Sequence, residues 1–529
     1  MLERSRDVVD AYESSVPDLR RRRTGVHYTP ARLAESLTGL ALEQLGRIPE
    51  SVVDPSCGAG SFLLAAADTL VEVGVEPSQV LLRLAGADID PAAVAACRDA
   101  LEAWAGEHRL DRRAADAVDL RVADMLAEPP VDWSGRFDLV VGNPPFLGQL
   151  SDTTARDASQ RAAVRERFIG IGPYVDTAAL FVAASLDLLR AGGVSLLIQP
   201  ASFLAARDTA AVRDRVLRDA QLVAVWASPE LHFDAGVHVC APVLRVGGDR
   251  SQAGMVHVRW GSTLESVGDA ASPEPEDSWG PLLAAPLGVP SVPEVPVARH
   301  RLHTIAASTA GFRDEFYALA AAARELDEPS VVGASPRLVT VGMIDPSRLT
   351  WGQRARKLAG RSVTAPRLDL PALQASSPRV ADWVRRRLRP KVLVASQTRV
   401  LEAVADPIGD LVPVTPVISV EPFDSADTWL VLAALLSPTA SATAAARRLG
   451  TGMSVGAVRW SASAVGDVDL PIDRVAWGRG ALLARRLADA DGGTRADLLG
   501  RLGRTMCIAH GCSPDSEVMT WWYDRVIRC

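Results

Sequence analysis

The sequence predicts an α/β protein: a doubly wound, mostly parallel sheet, followed by an α+β domain with a helical C-terminus. Three observations predict it. Between residues 50 and 146, four short apolar runs alternate with helical segments, which is the βαβ rhythm of a doubly wound sheet. Each run ends in residues suited to holding a ligand, and in open α/β sheets ligands bind outside the carboxyl ends of the strands. The composition then changes near residue 300, after seven prolines between 271 and 300. We therefore expect a first domain over 1–300, ending in a Pro-rich linker at 262–300, and a second over 301–529.

Residues 18–30, DLRRRRTGVHYTP, come first. Arginines 20–23 read as a solvated arm, with phosphate contact as the sharper alternative. A turn over Gly25–Pro30 leads into the amphipathic helix ARLAESLTGLALEQL. Val52-Val-Asp-Pro-Ser-Cys-Gly-Ala-Gly-Ser61 then reads as a strand and a glycine-rich turn, followed by the helix FLLAAADTLVEV. Glycines at 58 and 60 let the backbone bend tightly and approach a ligand. The second strand runs from Leu84 into Asp88-Ile89-Asp90, and an acid at that place can take both hydroxyls of a ribose. The third ends at Asp124, an acceptor, and Met125, an apolar face.

The fourth strand, Phe137 to Val141, runs into Asn143-Pro144-Pro145-Phe146. Two consecutive prolines cannot continue a central strand, so the chain leaves the sheet there. The chemistry fits a planar ring that carries an amino group. The Asn143 side-chain oxygen and the Pro144 carbonyl can each accept one hydrogen of an NH2. That pulls the nitrogen toward tetrahedral geometry and frees its lone pair, while Phe146 lies on the ring. The bland alternative is a Pro-rich turn after a strand.

A polar stretch, 148–176, suits a loop over the site. A helix from Thr177 to Leu189 is expected to end at Gly192-Gly193, followed by the strand VSLLIQP, the helix ARDTAAVRDRVL and the strand LVAVWAS. The strand VHVCAPVLRVG then reads as a hairpin edge. Beyond 300, residues 331–400 hold 14 Arg or Lys against 3 Asp or Glu, in a chain of net charge −7. Short β-type runs surround these arginines, so the block is expected to be a folded surface and not a tail, with charges suited to phosphate contact and a solvated basic face as the bland alternative. Arg354, Arg356, Lys357 and the cluster from Arg385 to Arg389 are the residues singled out. Helices dominate from Trp429, and Trp521, Trp522 and Tyr523 are expected to pack a terminal helix rather than stack on bases.

The chain has 529 residues, 48% of them hydrophobic, enough for two or three domains with cores of their own. No apolar run approaches 20 residues, so no membrane span is expected. The charged start, MLERSRDVVD, argues against export, and a cytoplasmic setting with reduced thiols is expected. Cys507 and Cys512 flank His510 without a second ligand pair, so no metal site is expected. A nuclease core with an acid two residues before a catalytic lysine is not expected either. The two lysines, Lys357 and Lys391, have Ala355 and Arg389 at that place.

With these motifs in this order, the chain resembles the gamma-class adenine-N6 methyltransferases of DNA. The match runs through His27-Tyr28-Thr29-Pro30, Asp54 to Phe62, Asp88-Ile89-Asp90, Asp124 and Asn143 to Phe146. It is strong over residues 24–250. It is weaker over 300–529, where Ala310 to Phe316 and the arginine-rich β segments look like a target-recognition domain. The resemblance implies S-adenosylmethionine as cofactor, held by Tyr28, Thr29, Pro30, Asp54, Pro55, Cys57, Gly58, Gly60, Asp88, Ile89, Asp124, Met125 and Asn143. In it Thr29 and Pro30 line the methionine end and Asp54 faces the amino group. Asp88 takes the ribose and Asp124 the adenine amino group.

It also implies that Asn143, Pro144, Pro145 and Phe146 act on a base flipped out of double-stranded DNA. Phe233 sits where relatives carry an aromatic against the same base, with core packing as its other reading. Other restriction or defence subunits are candidate partners. Protein-glutamine and RNA methyltransferases share the tetrapeptide chemistry, and a non-catalytic DNA-binding partner shares the fold. Type I modification subunits carry a long helical domain before the Tyr-Thr-Pro motif, and here 26 residues precede His27.

Overall fold

The computed structural model describes residues 4–16, 29–146, 158–172, 175–233, 237–247, 254–293, 300–311, 313–325, 335–452 and 456–527. It comprises two units, Met1–Pro286 and Leu287–Cys529.

In the first unit, α1 (Arg4–Ser15) and α2 (Ala31–Leu45) precede β1 (Val52–Asp54). Gly46 ends α2 in the left-handed region, at φ 73°, and returns its N–H to Leu42. The chain continues through α3 (Ser61–Glu72), β2 (Leu84–Asp88), α4 (Pro91–Glu107), β3 (Asp119–Val122) and β4 (Phe137–Gly142). Asp90 caps α4 by accepting from the Ala92 N–H, with Pro91 at the first helical position. Then follow α5 (Ala158–Arg167), α6 (Thr177–Leu188), β5 (Leu189–Leu197), α7 (Ala210–Asp219), β6 (Ala220–Ala227), β7 (Val239–Val246), β8 (Met255–Trp260) and β9 (Glu265–Ala271).

These strands form one sheet in the order β9-β8-β6-β7-β5-β4-β1-β2-β3, with Gln199–Pro200 pairing beside β7. From β3 to β5 every pairing is parallel, and β7 enters antiparallel between β5 and β6. Strand β1 is buried along its whole length, and so is β4. Continuous apolar runs of this kind belong in a parallel sheet covered on both faces. The crossovers bring the ends of β1, β2, β3 and β4 to the same edge.

Four expectations need correction. Val239–Val246 is not an edge, because β6 and β5 flank it and β8 and β9 extend the sheet further. Gly192 and Gly193 do not end helix α6, which stops at Leu188. They lie inside β5, where the register with β4 shifts. A Cβ on Gly193 would come within 3.0 Å of the Phe137 carbonyl oxygen, so the irregular pairing demands glycine there. The stretch expected as a loop over the site contains α5. The expected linker over 262–300 is largely folded. Its first part is β9, hairpinned onto β8, and Trp279 is fully buried edge-on against Phe203 at 5.8 Å.

Among the described residues, the second unit holds two four-stranded sheets. One is antiparallel throughout, in the order Ala306–Ala310, Ile418–Pro422, Lys391–Val394, Ala403–Asp406. The other joins Ala323–Glu325, Pro366–Leu368, Arg337–Val339 and Leu411–Pro413. The C-terminal part is helical, through Thr428–Leu435, Pro438–Ala446, Arg474–Ala488, Gly492–Ala509 and Glu517–Val526. A Cβ on Gly503 would lie 2.6 Å from the Met519 sulfur, so the last two helices approach closely at that point. Trp521 and Trp522 are buried in that packing. Among the described residues, no single helix is long and apolar enough to cross a membrane.

One member of the basic block is not on the surface. Lys391 is fully buried and pairs with Asp406 at 2.5 Å. Asp406 also accepts the N–H groups of Gly409, Asp410 and Leu411 at 2.9, 3.2 and 3.0 Å, so the pair fixes the turn after its strand. Burial pushes the Lys391 pKa down, and Asp406 opposes that shift. Removing one partner of such a pair leaves an uncompensated buried charge, at a cost of about 3–5 kcal/mol. Lys391→Met should therefore lose about that much stability in chemical denaturation. A denaturation profile like that of the wild type would contradict a structural role for the pair.

Candidate active site

The strand ends build the site from within. Asp54 closes β1 and is 2% exposed. Its Oδ1 accepts the Ser56 N–H at 2.9 Å. The same oxygen would lie 2.5 Å from a Cβ at position 142, so the residue before Asn143 has no room for a side chain. Burial pushes the Asp54 pKa up to about 8, and neighbouring Asp88 adds to the rise against the Ser56 hydrogen bond.

The turn after Asp54 is held by two backbone bonds, Cys57 N–H to the Ala87 carbonyl at 2.9 Å and Gly60 N–H to the Cys57 carbonyl at 2.8 Å. Gly58 and Gly60 both adopt positive φ, at 52° and 102°. At Gly60 a Cβ would meet the Cys97 sulfur at 2.9 Å, whereas at Gly58 nothing lies within 4 Å. Gly60 is thus required by packing, while Gly58 leaves its side of the turn open. Pro55 and Cys57 are buried beneath the turn.

Gly58 donates its N–H to Asp88 Oδ2 at 3.0 Å, and Asp90 donates its N–H to Asp88 Oδ1 at 2.9 Å. Burial raises the Asp88 pKa against these two bonds. Ile89 stands between the two acids, half-buried. The next strand end is joined on directly, since Ala123 donates its N–H to the Asp88 carbonyl at 3.0 Å. Asp124 Oδ1 accepts the N–H groups of Leu126 and Ala127 at 3.0 and 3.3 Å. Met125 is buried, and Arg167, at the end of α5, donates to its carbonyl at 2.7 Å.

At the end of β4, Asn143 Nδ2 donates to Thr29 Oγ1 at 3.0 Å. Thr29 is 8% exposed and Pro30 is exposed. Pro144 is buried, and Pro145 and Phe146 are half-buried. Phe233 stands edge-on to Phe146, with ring centroids 6.1 Å apart and planes at 87°. It also belongs to the core of the unit, so its two readings coexist. Tyr28 lies outside the described residues, as do the arginines at 20–23.

The structure thus brings Thr29 to Asn143, Asp54 to the residue before Asn143, Asp88 to Gly58, and Phe146 to Phe233. Motif reading missed α1, whose Tyr12 hydroxyl donates to Asp90 Oδ2 at 3.3 Å. The sequence marks this stretch only as a charged start, and nothing in it tells where a helix would dock.

In the second unit, Arg356–Leu358 and Arg361–Val363 form a hairpin, turning through Ala359 and Gly360 at positive φ. Arg354 and Lys357 are exposed, and among the described residues neither is paired with a carboxylate. Arg356 is half-buried and turned inward, its Nε donating to the Gly342 carbonyl. In the second cluster, Arg385 pairs with Asp382, Arg387 stacks over Trp383 at 4.1 Å and Arg389 pairs with Glu421. Much of the arginine excess therefore serves the fold of its own surface.

Residues 4–260 match the family model described as N-6 DNA methylase. The Type II methyltransferase M.VspI of Vibrio sp. (strain 343) is 27% identical over 197 residues, covering 37% of this chain and 41% of that protein. The methylase subunit of the Type I restriction enzyme EcoEI of Escherichia coli is 24% identical over 196 residues, 36% of each. The matched part spans less than half the length of either relative. Among solved structures, the Type IIL restriction-modification enzyme MmeI in complex with DNA gives a TM-score of 0.63 at 12% identity. That likeness of fold covers 99% of this chain and 82% of that one.

The buried Asp54 makes a prediction about pH. A carboxyl raised from 3.8 to about 8 keeps its proton in the folded state while the unfolded chain has lost it. Its contribution to stability is full below about pH 4 and is lost as pH rises to about 8. Thermal or chemical denaturation of the ligand-free protein should show this against Asp54→Asn, which lacks the proton. Relative to the variant, the wild type should lose about 1.4 kcal/mol per pH unit across that window. A constant difference from pH 4 to 8 would contradict the buried, protonated carboxyl.

Proposed function

We propose, on the match of residues 4–260 to the N-6 DNA methylase family model, that this chain methylates adenine N6 at a specific site in double-stranded DNA, within a restriction-modification or anti-phage system. The methyl donor is S-adenosylmethionine. The donor set fits it. Asp54 suits the methionine ammonium, Asp88 the ribose hydroxyls and Asp124 the adenine amino group, with Ile89 and Met125 as apolar faces. The open side at Gly58 is where a ligand can approach the backbone. When bound, the cofactor supplies an electrophilic methyl group on a sulfonium, and the acids around the turn suit its positive charge.

One observation carries the reading of the reaction: the hydrogen bond from Asn143 Nδ2 to Thr29. It turns the amide nitrogen toward Thr29, so the side-chain oxygen faces the other way. An adenine amino group needs two acceptors if its lone pair is to be freed. The Asn143 oxygen and the Pro144 carbonyl supply that pair, and both accept better as the nitrogen gains positive character on methylation. Phe146 offers a face for the base, and Phe233 braces Phe146 from its edge. A base inside a duplex is paired and stacked, so it must be extruded before these groups can reach it. The chain's own contribution is mainly orientation of the amine.

The DNA partner is supported by the family and by MmeI, which is described in complex with DNA. Duplex DNA carries about one charge per 1.7 Å, and a protein that grips it must place cations along the phosphates. Arg354 and Lys357 are the strongest candidates in the first cluster, because they are exposed and, among the described residues, not tied to an acid.

Two measurements test this reading. Asn143→Ala should abolish methyl transfer and weaken S-adenosylmethionine binding far less than Asp88→Ala does. Equal loss of affinity in both variants would sink the assignment. Arg354→Ala and Lys357→Ala should each lower the salt dependence of DNA binding by about one unit of slope. An unchanged slope in both would remove that hairpin from the DNA interface.

A further inference from the structure

Helix α1 reaches both turns of the proposed methyl-donor pocket. Its first half is fixed elsewhere. Ser5 donates from its backbone nitrogen and its hydroxyl to Glu107, at the end of α4, at 2.8 and 3.0 Å. Arg6 pairs with Glu35 of α2 at 2.6 Å and with Asp68 of α3 at 2.7 Å. Asp68 is held in turn by the Trp104 indole N–H at 2.7 Å. Val9 is buried. The helix therefore runs along α4 with opposite polarity, from the Glu107 end toward the Asp90 end.

At that second end, the Tyr12 hydroxyl donates to Asp90 Oδ2 at 3.3 Å, and Glu13 accepts from the Ser61 hydroxyl at 3.4 Å. Asp90 is the residue whose N–H holds Asp88 Oδ1 and whose other carboxylate oxygen caps α4. Ser61 opens α3 directly after Gly60. Adjacent residues of one helix thus tie the turn after β1 to the turn after β2, and those are the two turns that bracket Gly58 and Asp88.

We propose that Tyr12 and Glu13 are positioning residues for the methyl donor, and that docking of α1 and filling of the pocket are coupled. The inference rests on reading the pocket as an S-adenosylmethionine site. Tyr12 acts through Asp90 on Asp88, and Glu13 acts through Ser61 on the glycine turn. Coupling of this kind is reciprocal: a bound ligand tightens α1 as much as docked α1 tightens the ligand. These bonds are long, at 3.3 and 3.4 Å, so the net worth of an ordinary hydrogen bond sets the scale, about three- to tenfold in affinity for each. A helix that only stabilised the fold would not distinguish the filled pocket from the empty one.

The test uses the full chain, with S-adenosylmethionine as the probe; calorimetry and hydrogen exchange are run without DNA, and kcat is read with unmethylated genomic DNA as the methyl acceptor. Tyr12→Phe and Glu13→Gln should each weaken its binding about three- to tenfold in calorimetry, with kcat at saturating cofactor close to that of the wild type. In the wild type, hydrogen exchange of the amides of residues 4–16 should slow when S-adenosylmethionine is added. Wild-type affinity in both variants would overturn the proposal, and so would exchange in α1 that ignores the ligand. If the wild type binds no S-adenosylmethionine, the reading of the pocket fails instead, so the two failures are distinguishable.

Discussion

The carboxyl group of Asp54 lies so close to the end of β4 that position 142 accepts no side chain. That contact fixes the offset between two adjacent parallel strands at the edge where both leave the sheet. Strand β1 delivers a buried acid and a glycine turn to that edge, and β4 delivers an amide, two prolines and an aromatic ring. Because the strands pair in parallel, with Val52 beside Leu139 and Val53 beside Val140, their ends cannot drift apart without breaking the sheet. The proposed pocket and the proposed clamp are therefore two halves of one rigid edge. The Thr29–Asn143 hydrogen bond closes it from a segment 114 residues away.

Electrostatics point the same way. Asp54 and Asp88 are both raised by burial, and each is partly offset by backbone N–H groups. An acid held in that state gains most from a partner that brings positive charge or hydroxyl donors. The second unit solves the opposite problem. Its buried Lys391–Asp406 pair is surrounded by hydrogen bonds and serves the fold, while Arg354 and Lys357 are exposed beside and on a hairpin. Counting arginines and lysines does not separate these two uses of charge.

Much of the first unit was legible in the sequence because its signals are local. Pro144 and Pro145 must end a strand, Gly58 and Gly60 must make a turn, and apolar runs of four or five residues between helices imply a parallel sheet. What failed depended on tertiary context. Gly192 and Gly193 look like a helix terminus, but their place in a bulge depends on the Phe137 carbonyl of the neighbouring strand. The proline-rich composition of 262–300 hides Trp279, whose burial against Phe203 joins residues far apart in the chain. The motifs named the candidate residues of the site but not their contacts. Nothing in the sequence of α1 told that Tyr12 would meet Asp90, and nothing in the basic block told that Lys391 would turn inward.

The central claim is a reaction on one atom of one base. The most direct measurement is single-molecule sequencing of DNA from cells that express this chain, beside cells that express Asn143→Ala. The account predicts N6-methyladenine at one recurring sequence context with the wild type, and none at that context with the variant. DNA without N6-methyladenine in the wild-type cells, or the same methylation with Asn143→Ala, would contradict it.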